Sequence, residues 1–133
     1  MNKTNHSNNI SEYNMEQIED LISCCNKNNI QVLFVTMPSI SSWNYERHNA
    51  VFEYAKSKNI DYIDFNLIYS DLGIDPTICY RDTGNHLNYY GAKIVTKYIG
   101  KYIKGKYSLD SLKQNADFEY WNDNYSSFLK SVI

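Results

Sequence analysis

The run Ile30-Gln31-Val32-Leu33-Phe34-Val35-Thr36-Met37, closed by Pro38, constrains the fold of this chain more than any other segment. Its centre, Val32 to Val35, is apolar without alternation. A strand with one wetted face alternates, whereas a parallel strand covered on both faces does not. Pro38 cannot donate to a ladder and marks the strand's end. Ser39 to Asn44 then read as a loop, and Ala50, Val51, Tyr54 and Ala55 mark a helix at about 44–58. Ile60-Asp61-Tyr62-Ile63-Asp64-Phe65 reads as a second strand. Ahead of the first strand, Met15, Ile18, Leu21, Ile22 and Cys25 share one helical face, which predicts a helix at about 14–28 opened by a capping box of Asn14 and Gln17. Helix, strand, helix, strand with short joints is the order of an open parallel α/β sheet.

A strand covered on both faces needs neighbours on both edges, and this sequence offers it one. The expectation is therefore a partial sheet whose further strands lie upstream of Met1. Beyond the second strand an irregular stretch runs over about 66–87, with a helical turn at Leu67–Leu72. A long helix is predicted at about 88–104, with Ala92, Val95, Ile99, Tyr102 and Ile103 on one face and Gly105 as the residue that ends it. The chain thus divides into a polar tail (1–13), an α/β body (14–105) and an aromatic-rich segment (106–133). That last segment carries Leu109, Leu112, Phe118, Trp121, Tyr125, Phe128 and Leu129. It reads as one or two short helices laid over the body.

The 133 residues fit one domain, and a charged fraction of 21% beside an apolar fraction of 43% is that of a folded globular chain. A net charge of −2 lacks the basic footprint of a nucleic-acid binder. Cys24, Cys25 and Cys79 form no disulfide framework and have no zinc-ligand spacing, so they read as small buried or half-buried thiols, and no metal is expected. No Gly-rich phosphate loop is present, so no nucleotide cofactor is expected either. No stretch approaches the roughly 20 apolar residues of a membrane span, and residues 1–12 have no apolar signal core. As written, the sequence gives the chain no route out of the cytoplasm.

In open parallel sheets ligands gather beyond the carboxyl ends of the strands. Three features fall there: the loop from Pro38 to Trp43, Asn66 just past the second strand, and Asp82 to Asn88 ahead of the last helix. His86 is the sharpest candidate, in a polar loop beside Gly84, with Asp82 four residues before it and Asp75 eleven before. A carboxylate that holds a histidine fixes its tautomer and stabilises the imidazolium, the standard base for activating a hydroxyl. His6 in the tail and His48 on a predicted helix read as solvent-facing.

At these residues the chain resembles the SGNH/GDSL hydrolases, and looks closest to the bacterial branch that includes glycan O-acetyltransferases and D-alanyl-transfer partners of membrane-bound acyltransferases. The resemblance rests on Phe34-Val35-Thr36-Met37-Pro38, on Tyr62-Ile63-Asp64-Phe65-Asn66, and above all on Asp82-Thr83-Gly84-Asn85-His86-Leu87-Asn88-Tyr89-Tyr90-Gly91-Ala92. It covers roughly residues 14–104, and the aromatic tail with Trp121 is similar to that branch too. It implies a partial flavodoxin-like α/β fold lacking its N-terminal strands, and ester hydrolysis or acyl transfer on ester-linked acyl groups, with a glycan as one candidate carrier, in the cell envelope for full-length relatives. By resemblance His86 is the general base and Asp82 its orienting acid. The spacing is one residue longer than the family's usual Asp-x-x-His, which leaves Asp75 as the substitute for Asp82. The family's Gly-Asp-Ser block is absent, and Ser39, Ser41 and Ser42 follow the wrong strand. The resemblance therefore implies the C-terminal part of such an enzyme, without its nucleophile. The competing expectation is a non-catalytic remnant or interaction module that pairs, or self-associates, through an open sheet edge.

Overall fold

Two four-residue strands form the centre of the computed structural model, which describes residues 1–107, 109 and 116–132. Strand β1 (Leu33–Thr36) pairs in parallel with β2 (Asp61–Asp64), Leu33 opposite Asp61 and Thr36 opposite Asp64. Helix α1 (Glu12–Lys27) precedes β1, and α2 (Tyr45–Ser57) connects the strands. Because successive side chains point to opposite faces, the Phe34–Tyr62 pair and the Val35–Ile63 pair meet different layers. On one face Phe34 stacks on Tyr54 of α2, and Tyr62 lies against His48 of the same helix. On the other, Leu33, Val35 and Ile63 join a core of Phe65, Ile74, Cys79, Tyr80 and Val95. Val95 belongs to α4 (Tyr89–Tyr107), so helices cover both faces of the sheet. The fold is thus a mixed one, a small parallel sheet with flanking helices.

The ends of several elements differ from expectation. Both strands are shorter than predicted: Ile30 and Met37 are exposed, and Phe65 opens the single turn α3 (Phe65–Ile68). That turn begins there because the Asp64 carboxylate accepts the Asn66 backbone N–H at 2.9 Å and caps it. Ser11, not Asn14, caps α1, its hydroxyl accepting from the Asn14 N–H, and Leu21 is exposed rather than on the buried stripe. Gly105 lies inside α4 instead of ending it. The helix continues because Lys106 is paired with Asp61 of β2 and lies near the Tyr102 and Tyr107 rings.

The polar tail is held to α2: the Asn49 side chain donates to the Thr4 and His6 carbonyls, and the Asn8 N–H donates to the Glu46 carbonyl. At the other end a 3₁₀ turn (Ala116–Phe118) leads into α5 (Glu119–Val132). Trp121, Tyr125 and Phe128 are exposed, and a ring contact from Tyr89 reaches Phe128. Helix α5 does not cover the body as expected; Leu112 lies outside the described residues.

Candidate active site

The β1 and β2 carboxyl ends are joined by a buried carboxylate. Asp64 ends β2 with its side chain 1% exposed. One oxygen accepts from Trp43 Nε1 at 2.9 Å and pairs with His48 Nδ1 at 2.8 Å; the other accepts from the Asn66 backbone and from its Nδ2. His48 is therefore buried, not solvent-facing, packed near Tyr45, Phe52 and Tyr62. Burial of an ionisable group demands such partners. The sequence carried a faint signal: His48 lies three residues before Val51 and seven before Ala55, on the stripe that packs α2.

Asn66 passes the connection on. Its Nδ2 donates to the Met37 carbonyl at 3.0 Å, and its Oδ1 accepts the Ser39 N–H at 2.6 Å. From Ser39 the chain of contacts reaches the loop before α4. The hydroxyls of Ser39, Ser41 and Ser42 donate to Asn85 Oδ1 at 2.9, 2.7 and 2.6 Å, and the Ile40 N–H donates to the Gly84 carbonyl at 2.8 Å. One carbonyl oxygen has two lone pairs, so the three hydroxyls compete for it. None of them bonds to the His86 ring.

Within that loop Asp82 and His86 meet through Oδ2 and Nδ1. The other Asp82 oxygen accepts three backbone N–H groups, from Gly84 (3.1 Å), Asn85 (2.8 Å) and His86 (3.1 Å). The hydrogen bond from His86, then the N–H groups of Asn85 and His86, hold the Asp82 carboxyl well below the usual carboxylate range. A four-residue separation suffices because the loop closes on the carboxylate itself, with Gly84 at φ 106°. A Cβ there would come within 2.9 Å of Ile40 Cβ. Asp75 is engaged elsewhere: its carboxylate accepts from the Thr77 N–H and hydroxyl.

The loop is anchored to α4 from below. Asn88 Oδ1 accepts from the Tyr90 and Gly91 N–H groups, and its Nδ2 donates to the Ile78 and Tyr80 carbonyls. Gly91 allows this approach, since a Cβ would meet the Cys79 carbonyl at 2.5 Å. The His86 side chain itself is 73% exposed, and its Nε2 has no hydrogen-bond partner among the described residues. The arrangement is an oriented imidazole with a free outer nitrogen at the rim of the β1 loop. Sequence reasoning named this pair and missed Asn85, the residue that gathers the serines. No family model matches the chain, and no curated protein or solved structure matches it.

Proposed function

We propose that Asp82 and His86 form the acid–base element of an SGNH-type esterase or acyltransferase site acting on ester-linked acyl groups. The observation that carries this reading is the division of labour at the pair: Asp82 occupies His86 Nδ1, leaving Nε2 open. In the reaction, Nε2 takes the proton of an attacking hydroxyl as its oxygen bonds to the acyl carbon, and returns it to the departing alkoxide as the ester C–O bond breaks. Asp82 stays ionised and stabilises the imidazolium. Ser39, Ser41 and Ser42 are turned to Asn85, so none is assigned as the nucleophile.

Hydrolysis of p-nitrophenyl acetate by the full chain tests the base. Slow turnover is expected, lowered at least about tenfold by His86→Ala and less by Asp82→Asn. It should be unaffected by the control His6→Ala, and no single replacement of Ser39, Ser41 or Ser42 should abolish it. Turnover indifferent to His86→Ala refutes the proposal.

A second reading, an interaction module, is favoured by the sheet itself. Among the described residues β1 pairs with β2 alone, leaving an apolar strand with unpaired backbone groups along its other edge. Such edges recruit strands. Sedimentation would show concentration-dependent association, reduced by Phe34→Lys; a monomer at all concentrations counts against it.

A further inference from the structure

Helix α5 carries an apolar stripe that the body leaves open. Trp121, Tyr125, Phe128 and Val132 recur along it at spacings of four, three and four, and Phe118 stands three residues ahead of Trp121. That spacing gathers side chains on one side of a helix and is the spacing of a seam against a second helix. Trp121 is 59% exposed, Tyr125 55%, Phe128 48%, Phe118 37% and Val132 36%. The Tyr89 ring reaches Phe128 and Leu129 is half-buried, so the body holds α5 along one side only. A buried aromatic side chain covers about 150–250 Å², so at these exposures the stripe presents on the order of 400 Å². Contiguous apolar patches above a few hundred Å² mark interaction sites.

The residues around the stripe select the partner. Asn122 and Leu129 flank it on one side, Asn124 and Ser131 on the other, and none carries a charge. Charges at flanking positions choose between helix partners; without them, two identical seams meet with no repulsion. The outer face of α5 holds Glu119 and Asp123 against Lys130 alone, not the Lys/Arg-rich face of a helix that lies on a membrane.

We infer that α5 pairs with α5 of a second copy of this chain, stripe against stripe and antiparallel. Trp121 of each copy then lies beside Phe128 of the other, and the Tyr125 rings meet at the two-fold axis. Antiparallel pairing sets the small Val132 against Phe118 and keeps the two indoles apart, whereas parallel pairing would crowd them together. Such a pairing is isologous, the commonest way identical chains associate. Two stripes bury on the order of 800 Å² in total, short of the roughly 1,200 Å² of a stable complex, so the dimer is weak. It uses neither the β1 edge nor the Asp82–His86 pair.

Sedimentation equilibrium of the full chain from about 10 µM to 1 mM tests this, and a monomer–dimer equilibrium is expected within that range. Trp121→Glu and Tyr125→Glu should each weaken it at least about tenfold. Lys130→Gln, an equal change of charge on the outer face, should leave it within about twofold. Both glutamates sit at exposed positions, so the unfolding midpoint of the dilute chain should hold and exclude misfolding as the cause. Filtered NOEs in a mixture of labelled and unlabelled chain should join Trp121 of one copy to Phe128 of the other. Association lost in the α5 variants and kept in Phe34→Lys supports this pairing and counts against the sheet edge as the interaction surface. A monomer throughout, a dimer indifferent to both glutamates, or filtered NOEs between the two Trp121 rings overturns the inference. So does Trp121-dependent uptake of the dilute chain by phosphatidylcholine or phosphatidylglycerol vesicles, which would make the stripe a membrane contact.

Discussion

Replacing Asp64 should loosen the body and the candidate site together. Its carboxylate receives four hydrogen bonds, from Trp43, His48 and twice from Asn66, at 2.8–2.9 Å with almost no exposure to water. Asp64→Ala strands all four donors, and breaking a buried pair in this way costs about 3–5 kcal/mol. Against a total stability of about 5–15 kcal/mol, that variant approaches the folding limit. Asp64→Asn is the better probe. Its amide oxygen still serves the donors on one side, but its NH₂ faces donors on the other, a loss of about 1–3 kcal/mol. In urea this lowers the unfolding midpoint by about 1 M at unchanged m. If His48 is a direct partner, a cycle of Asp64→Asn with His48→Phe should show coupling of at least about 1 kcal/mol. The same variant should broaden or shift the Asn85 and His86 amides, because Asn66 and Ser39 carry the connection to that loop. A midpoint change equivalent to less than about 0.5 kcal/mol, the size of an ordinary surface substitution, would refute the network's structural weight.

Other outcomes follow from single contacts. Gly84→Ala should cost about 1–3 kcal/mol in denaturant unfolding, because alanine disfavours φ 106° and its Cβ meets Ile40; it should also weaken the Asp82–His86 contact seen by NMR. The folded Asp82 carboxyl titrates below its unfolded value of about 3.9, so its contribution to stability is complete above about pH 4 and is lost as pH falls through the depressed folded value. The ¹³C shift of the Asp82 carboxyl should therefore stay that of the ionised form at pH 3, and a midpoint near 4 would contradict the hydrogen-bond cage. Ending the chain at Phe118 should change unfolding stability by less than about 1 kcal/mol, since α5 is exposed along its length apart from a half-buried Leu129; a larger loss would mean that its aromatic face packs on the body in solution.

What the sequence made legible is what local pattern encodes. The unbroken run Val32 to Val35 marked a strand between layers, and the pairing of β1 with β2 is parallel. Asp82 and His86 lie four residues apart, so one turn of loop brings them together and spacing alone could nominate them. Strand lengths were not legible, because a ladder ends where its partner ends: Asp64 leaves the sheet to cap α3, and residues beyond Thr36 lose their opposite strand. Nor was the persistence of α4 past Gly105, which depends on Lys106 finding Asp61 across the fold. The His48–Asp64 pair is the clearest case. The two residues stand sixteen apart, one on a helix and one at a strand end, and no local spacing pairs them. Only the return of α2 over the Phe34–Tyr62 face buries both at once. The same geometry explains why Asn85, and not His86, holds the serine loop: the Asp82 cage commits the His86 amide and Nδ1 inward, while the Asn85 side chain supplies the acceptor that meets the β1 end. The loop thus separates two tasks, docking by Asn85 and proton chemistry by His86, so substitutions at Asn85 should disturb position without removing the base.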